Sequence, residues 1–356
     1  RRRHTRYWRD WSSDVCSSDL CKLENGRVVR VMEYDMTEFM GSCVDAYRTA
    51  CGQPDLKLRK VDTPFIPAVD GSGNAPAELT EGGKAGVLAP VACAVLMKLM
   101  YGARMARWDL LKVIQTLSTR LTKWSEDCDK ALHRLVCYVD STRDWVLKGF
   151  VGDGTSALDL RLYADADFAG DRPGYKSTSG VLLGLAGPNT FFPLSAKAAR
   201  QTSVSHSTVE AEIVAANTGV RTIGLPAMDL WEVLLGRLVS MTLMEDNEST
   251  FQIIKTGKNP TMRHISRTHG VNVQWLHDAY TKRLFNMKVT KTDEQVADIF
   301  TKHMPEKNNW RKAVRDINTG PIGDPVNLPP VHDPEAKAKK KKEKQEQYGM
   351  GSPKKK

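Results

Sequence analysis

The most diagnostic part of this 356-residue chain is Tyr163-Ala164-Asp165-Ala166-Asp167-Phe168-Ala169-Gly170. It ends a segment, residues 158–168, in which apolar and polar side chains alternate as in a half-buried β-strand. Asp165 and Asp167 are two residues apart and therefore point to the same face of the strand. Either carboxylate is a candidate cation ligand. Because Asp at a strand end also commonly forms a turn, these residues alone leave both interpretations open.

Outward from this strand, the periodicity predicts a mixed α/β fold. Two β-rich segments follow at 179–185 and 190–194, and the turn residues Gly187-Pro188-Asn189 between them indicate an antiparallel meander. The next predicted elements are a long helix at 207–235, a strand at 241–245, a helix at 271–282, a strand at 285–290 and a final helix at 293–303. Strands first, and then strands alternating with helices, indicate a sheet with helices packed on it.

The remainder of the chain divides into further predicted segments around this α/β domain, which spans residues 151–310. Residues 87–150 have the apolar spacing of three amphipathic helices, and residues 21–86 form an irregular connector that is helical near 34–50. Residues 10–20 are similar to the conceptual translation of a common sequencing adapter. We therefore expect residues 1–20 to be an assembly artefact outside the fold, with a genuine disordered Arg/Ser arm as the less favoured alternative.

The last predicted segment, residues 311–356, is rich in Pro and then in Lys, a composition that cannot bury enough apolar surface to fold. We therefore predict a disordered tail. Residues 335–356 carry nine Lys against three Glu, and so supply +6 of the net charge of +10. The positive charge therefore belongs mainly to the tail, and it is weak evidence that the fold itself binds nucleic acid.

Cysteine usage and hydropathy bound the chemistry and the compartment. The seven Cys residues include no Cys-x-x-Cys pair, so neither a zinc site nor a disulfide framework is suggested. A metal site would then use oxygen ligands, which favours Mg²⁺ or Mn²⁺. The longest apolar run, Ala85 to Met97, is broken by Pro90 and is too short to span a bilayer. We expect an intracellular protein, in a cytoplasmic particle or the nucleus, that is not secreted and does not contact membranes.

A second candidate carboxylate lies at the start of the long predicted helix. Ser207-Thr208-Val209-Glu210 is a capping box, which gives Glu210 a structural role. Glu212 lies about 200° around the helix from Glu210 and cannot share that role. Its neighbours are small and apolar, and a carboxylate there is costly unless it is paired with a charge or a metal. We therefore favour Glu212 over Glu210 as a ligand.

Two more acidic residues complete the candidate set. Asp246 ends a predicted strand, and the preceding Glu245 should face the opposite way. Asp298 lies in the first turns of the final predicted helix. Taken singly, each is an ordinary surface carboxylate. Together with Asp165 and Glu212, they can hold two divalent cations, which is the arrangement that cleaves phosphodiesters.

Several strings, in this order, resemble the ribonuclease H domain of copia-type retrotransposon polyproteins. Besides the opening stretch they are Lys-Ser-Thr-Ser-Gly (176–180), Ser-Thr-Val-Glu-Ala-Glu (207–212), Glu-Asp-Asn (245–247), Arg-Thr-His (267–269) and Val-Ala-Asp-Ile-Phe-Thr-Lys (296–302). The resemblance covers about residues 160–305. It implies a ribonuclease H-like mixed five-stranded sheet flanked by helices. It also implies two Mg²⁺ ions, with Mn²⁺ as a substitute, and hydrolysis of RNA in RNA–DNA hybrids.

The same resemblance assigns a catalytic and metal-binding role to each of the four carboxylates. Asp165 would bridge both metal ions, Glu212 and Asp246 would complete the site on the leaving-group side, and Asp298 would hold the ion that activates water. One departure from the family concerns a His that many cellular ribonucleases H place shortly before the last Asp. Residues 287–297 contain none here.

Four cations are candidate contacts to nucleic-acid phosphates: Lys197, Arg200, Arg263 and Arg267. Scattered surface cations are more often simply solvated. The expected partners are an RNA–DNA hybrid and the remainder of the retroelement polyprotein. The alternative to an active nuclease is an inactive relic that at most binds nucleic acid.

The upstream helical region is similar to the segment that links reverse transcriptase to ribonuclease H in the same family, as in residues 100–109 and 133–138. Tyr138-Val139-Asp140-Ser141 resembles the polymerase Tyr-x-Asp-Asp turn, but Ser replaces the second Asp and the string ends an amphipathic helix. The polymerase palm is therefore missing, and we expect no polymerase activity from this chain.

Overall fold

One sheet contains the nine strands found in the computed structural model, which describes residues 16–23, 25–67, 84–171 and 174–328. The strands are β1 (Cys16–Lys22), β2 (Val28–Tyr34), β3 (Trp145–Val151), β4 (Asp159–Asp171), β5 (Lys176–Gly187), β6 (Thr190–Arg200), β7 (Met241–Glu245), β8 (Asn286–Val289) and β9 (Thr319–Pro321). Their order across the sheet is β1-β2-β3-β6-β5-β4-β7-β8, and β9 pairs with β3.

The five strands predicted for the α/β domain form a continuous block of this sheet. Strands β6, β5 and β4 are antiparallel neighbours, whereas β4–β7 and β7–β8 are parallel. The predicted mixed α/β fold class is confirmed. The sheet is wider than predicted, because β1, β2, β3 and β9 extend it beyond β6.

The N-terminal hairpin corrects one expectation. Residues 16–20, which we placed outside the fold, form the first part of β1 and pair with β2 from Cys16↔Tyr34 to Lys22↔Val28. Residues 1–15 lie outside the described part of the chain.

Ten α-helices lie in the described ranges. They are α1 (Thr37–Ala50), α2 (Ala89–Met105), α3 (Leu111–Ser118), α4 (Glu126–Ser141), α5 (Thr208–Gly219), α6 (Leu225–Leu235), α7 (Glu248–Thr256), α8 (Ile265–Thr268), α9 (Val273–Thr281) and α10 (Lys307–Asp316). Helices α2, α3 and α4 are the three predicted for residues 87–150. The predicted long helix is divided into α5 and α6 by a π-helical turn, Val220–Gly224, just before Pro226, which has no backbone N–H to donate.

The prediction of a final helix at residues 293–303 is wrong. Two 3₁₀ turns, Thr292–Glu294 and Val296–Phe300, occupy that segment, and Gln295 between them has an extended backbone with ψ 101°. The Gln295 side chain donates a hydrogen bond to the Ala164 carbonyl oxygen of β4, and this tertiary contact holds Gln295 out of a helix.

Helices cover both faces of the sheet. On one face, α1 to α4 and α10 bury Leu99, Leu135 and Trp310 in a core shared with Tyr163 of β4. On the other face, α5 to α9 pack against Leu162 and its neighbours. The predicted domain boundary at residue 150 thus falls within a shared core, since residues on both sides of the boundary contribute to the core that contains Tyr163.

The C-terminal end of the fold extends beyond the predicted boundary at residue 311. Helix α10 buries Val314, Ile317 follows it into the core, and β9 pairs with β3. The tail prediction was therefore wrong for residues 311–328, because these apolar side chains are spaced to reach the core. Residues 329–356 lie outside the described part. Among the described helices, none is both long and apolar enough to cross a bilayer.

Candidate active site

Asp165 lies on β4 with its side chain buried on the face that carries Tyr163, and the residue is 2% exposed. Its partner across the β4–β5 ladder is Gly180. A Cβ atom at Gly180 would lie 2.6 Å from Thr301 Cγ2 and 2.9 Å from the Ala297 carbonyl oxygen. Glycine therefore lets the turn that carries Asp298 approach the sheet directly beside Asp165. The Thr301 hydroxyl donates to Asp165 Oδ2 and closes this contact.

Asp298 is held on that turn, and its side chain is 16% exposed. Its Oδ2 accepts from Lys302 Nζ at 2.6 Å, whereas Oδ1 has no hydrogen-bond partner in the described structure. Burial, followed by the negative charge of Asp165, raises the pKa of Asp298 to about 7. Asp165 is therefore close enough to Asp298 to disfavour the ionised form of Asp298.

Asp246 follows β7 at the same end of the sheet. Gln295 Nε2 donates to the Ala164 carbonyl oxygen at 2.9 Å and lies 3.5 Å from Asp246 Oδ1. Because β4 and β7 are parallel neighbours, their carboxyl ends meet here. The buried Gln295 thus connects Asp246 to the strand that carries Asp165.

Glu212 approaches from the first turns of α5, on the opposite face of the sheet from Asp298, and is 5% exposed. Its Oε2 has no hydrogen-bond partner in the described structure. Burial is the largest cause that raises the pKa of Glu212 to about 11, and the charges of Asp165, Glu245 and Asp246 act in the same direction. The four predicted residues therefore lie in one electrostatic cluster, which comprises Asp165, Glu212, Asp246 and Asp298 and is called here the carboxylate cluster.

The start of α5 is fixed by a separate network. The Glu210 backbone N–H donates to Ser207 Oγ at 3.1 Å, as the capping box predicts. The buried Glu210 carboxylate accepts from the His206 backbone N–H at 3.0 Å and lies 3.2 Å from His269 Nε2 and 3.3 Å from His264 Nε2. Glu210 is therefore structural and orients the helix that carries Glu212.

Glu245 is a buried carboxylate that the sequence prediction placed away from the cluster. It lies near enough to the cluster for its charge to raise the pKa of Glu212. Its own pKa is raised well above the ordinary value by burial and then by Asp246 and Asp165. The only sequence signal was the acidic pair Glu245-Asp246 at the end of an apolar strand.

Asp167 lies near enough to Asp165 for its charge to raise the pKa of Asp165, but it has a cation partner of its own. Lys112 of α3 is 8% exposed, donates to Thr178 Oγ1 at 3.1 Å and lies 3.7 Å from Asp167 Oδ2. Burial lowers the pKa of Lys112, and it raises the pKa of Asp167. Asp167 thus faces a cation from the upstream helices.

The predicted phosphate contacts are distributed around the site. Arg200 pairs with Asp171, and Lys197 is half-buried in the β5–β6 ladder. Arg263 and Arg267 are exposed near α8 and have no ion pair in the described structure. Of the four predicted cations, Arg200 is the one with an ion pair in the described structure.

His303 does not replace the missing family His. Its Nε2 lies 3.2 Å from the Ile66 carbonyl oxygen, and its ring packs on Phe65. Burial lowers its pKa to about 4.

The chemistry of the oxygen atoms in the carboxylate cluster suits a hard divalent cation. The donor atoms are carboxylate oxygens alone, and both Glu212 and Asp298 have an oxygen without a partner. Among the described residues, no three Asp, Glu, His or Cys side chains lie close enough together to hold a metal ion as they stand.

Comparison with known proteins identifies several that are similar in sequence to this chain. It is 27% identical over 211 residues to the Transposon Ty1-NL2 Gag-Pol polyprotein of Saccharomyces cerevisiae, and 27% identical over 215 residues to the Ty1-JR1 polyprotein of the same yeast. Each match covers 57% of this chain but only 12% of the polyprotein. RNase H1 from the archaeon Halobacterium salinarum aligns with 40% of this chain and 94% of its own at 12% identity, with a TM-score of 0.27. No family model matches.

The chain is thus similar in sequence to part of retrotransposon Gag-Pol polyproteins, and it spans about an eighth of their length. The homologues are copia-type Gag-Pol polyproteins of the Ty1 group, which confirms the resemblance found in the sequence.

Proposed function

We propose that this chain is a metal-dependent ribonuclease H that hydrolyses RNA in RNA–DNA hybrids during retroelement reverse transcription. The carboxylate cluster is the observation that carries the proposal. Four separate elements bring its members together, and Asp165 and Asp246 raise the pKa of both Glu212 and Asp298. Like charges buried together are costly, and a bound cation is the usual compensation.

Asp165, Glu212, Asp246 and Asp298 would hold two Mg²⁺ ions, or Mn²⁺ in their place. Such ions generate a nucleophile from water at neutral pH and stabilise the charge that develops on the phosphate. Thr301 positions Asp165, because its hydroxyl donates to the Asp165 carboxylate. Gln295 donates to the Ala164 carbonyl oxygen beside Asp165 and lies 3.5 Å from Asp246 Oδ1, so it positions Asp246. Glu212 and Asp298 would bind a cation in their ionised form, so their raised pKa values would make cation binding release protons.

A polymerase role is not part of the proposal. Tyr138 is fully buried in α4, where its hydroxyl donates to Asp109 Oδ2 at 2.9 Å and accepts from Trp310 Nε1 at 3.1 Å. The Tyr138–Ser141 string is thus part of the helical core, as the sequence predicted.

The proposed partners are an RNA–DNA hybrid and the rest of the polyprotein, within a cytoplasmic particle or the nucleus. Arg263 and Arg267 are exposed cations that could contact phosphates of the hybrid. Selection of RNA over DNA would use the 2′-hydroxyl groups across the shallow minor groove.

The test is cleavage of a labelled RNA–DNA hybrid by the full chain in Mg²⁺, with duplex DNA as the control substrate. Glu212→Gln should abolish cleavage, because it removes a cluster carboxylate while keeping the side-chain volume. Glu210→Gln is the matched control, two residues away on the same helix, and should lose less activity. If wild type and Glu212→Gln are equally active, the proposed site is wrong. If wild type is inactive while it still binds hybrid, the inactive-relic alternative is correct.

A further inference from the structure

The ammonium group of Lys302 lies beside the carboxylate cluster. Lys302 Nζ is 2.6 Å from Asp298 Oδ2, and the Lys302 side chain is 38% exposed. Its positive charge also lowers the pKa of Asp165 against the opposing effect of burial, and it lowers the pKa of Glu212 as well. Its effect therefore extends beyond the one carboxylate that it touches.

The backbone around Lys302 is fixed independently of this ion pair. The Asp298 carbonyl oxygen accepts from the backbone N–H of Thr301 at 3.1 Å and of Lys302 at 2.8 Å. The Thr301 hydroxyl holds Asp165. The ammonium can therefore leave Asp298 by rotation of its flexible four-carbon stem, without any movement of the turn.

We propose that Lys302 is a built-in counter-cation of the carboxylate cluster: it occupies Asp298 in the metal-free protein, and a divalent cation displaces it from that carboxylate. This inference rests on the proposed function of the cluster as a cation site. A divalent ion and an ammonium repel each other when they share one carboxylate, so the two compete. Lys302 thereby stabilises the site without metal and lowers its affinity for metal.

The experiment measures Mg²⁺ binding and metal-free stability, not cleavage. Mg²⁺ is titrated into the full chain by calorimetry at constant ionic strength, and thermal unfolding is recorded in EDTA. Lys302→Met removes the charge and keeps most of the stem. It should bind Mg²⁺ about fivefold more tightly than wild type, the lower end of typical coupling between two ligands. In EDTA it should unfold about 2 °C lower, because the carboxylates lose their cation.

Two further variants make the result specific. Lys302→Arg should bind Mg²⁺ more weakly than wild type, because a guanidinium can bond both Asp298 oxygens and is harder to displace. Lys312→Met is the matched control: Lys312 Nζ lies 2.8 Å from Asp316 Oδ2 in a similar i,i+4 pair away from the cluster. It should leave the Mg²⁺ affinity unchanged.

Each outcome has one meaning. Mg²⁺ affinity in the order Met, wild type, Arg at position 302 supports the inference. Equal affinity in wild type and Lys302→Met overturns it while the proposed cation site stands. If Lys302→Met does not fold, an affinity of Lys302→Arg equal to or tighter than that of wild type overturns it. If wild type binds no Mg²⁺ at all, the proposed function fails first, and displacement by metal fails with it.

Discussion

Asp165→Asn should stabilise the metal-free protein although it destroys the proposed activity. Asp165 is 2% exposed, and its charge is the largest electrostatic cause of the raised pKa of both Glu212 and Asp298. For Asp298 the rise is from 3.8 to about 7. At about 1.4 kcal/mol per pKa unit this corresponds to at most roughly 4 kcal/mol, of which burial takes the larger part. We therefore assign on the order of 1 kcal/mol to the repulsion between Asp165 and the ionised Asp298.

The expected gain for Asp165→Asn is thus about 1 kcal/mol in the free energy of unfolding, in EDTA at pH 8. It comes from Asp298 alone, because Glu212, with a pKa of about 11, is protonated at pH 8 and carries no charge for Asp165 to repel. The amide keeps an oxygen to accept from the Thr301 hydroxyl, so that contact survives. The gain should depend on pH with a defined sign. Asp298 has a folded-state pKa above its unfolded value, so its stabilising contribution is fully present below 3.8 and is lost as pH rises to about 7. Asp165→Asn relieves that loss, so its advantage should be small near pH 4 and complete by pH 8.

Urea unfolding in EDTA at pH 4 and pH 8 measures this gain. When the same measurement is repeated in Mg²⁺, wild type should be more stable than Asp165→Asn. Wild type should gain about 2.7 kcal/mol at a Mg²⁺ concentration of 100 times its Kd, whereas the variant gains little. Asp171→Asn is the control on the same strand. It should be destabilising, because Asp171 is ion-paired with Arg120 at 2.8 Å and with Arg200. If Asp165→Asn is less stable than wild type at pH 8 in EDTA, the cluster is not a set of repelling charges and the reasoning is refuted.

Two other predictions follow from the same geometry. Gly180→Ala should lower stability by about 1–3 kcal/mol in urea and weaken Mg²⁺ binding, since its Cβ would lie 2.6 Å from Thr301 Cγ2; Gly154→Ala, with no atom within 4 Å, should change neither. Mg²⁺ affinity should rise as pH rises through about 7, because protons on Asp298 compete with the cation below that value. Calorimetry at pH 6, 7 and 8 in buffers of different ionisation enthalpy measures the released protons, and an affinity that does not change with pH would contradict the assignment.

Local pattern was enough to predict the central part of the fold. The alternation through residues 158–168 found β4, and the apolar run Met241–Glu245 matches β7 in both of its bounds. Capping chemistry separated Glu210 from Glu212 correctly in structural terms, because Ser207 caps α5 and Glu210 stays at the helix start. The catalytic and metal-binding roles of the four carboxylates remain predictions that the proposed experiments test.

Long-range contacts explain what could not be predicted. Residues 293–303 carry a helical pattern, but Gln295 bonds across to Ala164 and divides the segment into two turns. Residues 311–321 looked like a tail because their neighbours are polar, yet β9 pairs with β3 about 170 residues earlier in the chain. Glu245 was assigned by strand alternation alone, which gives the face of a side chain but not which other carboxylates reach it from a helix.

The counter-charges of the site come from both halves of the chain, and this limits how the protein can be divided. Lys302 belongs to the predicted α/β domain, residues 151–310, but Lys112, which faces Asp167, belongs to α3 within residues 87–150. The same helical region contributes Leu135 and Tyr138 to the core that contains Tyr163 of β4. A fragment that begins at residue 151 would expose that core and leave the Asp165–Asp167 face with one cation fewer. Because unpaired buried carboxylates are costly, such a fragment should bind metal and fold differently from the intact chain, and activity is therefore best measured on the whole chain.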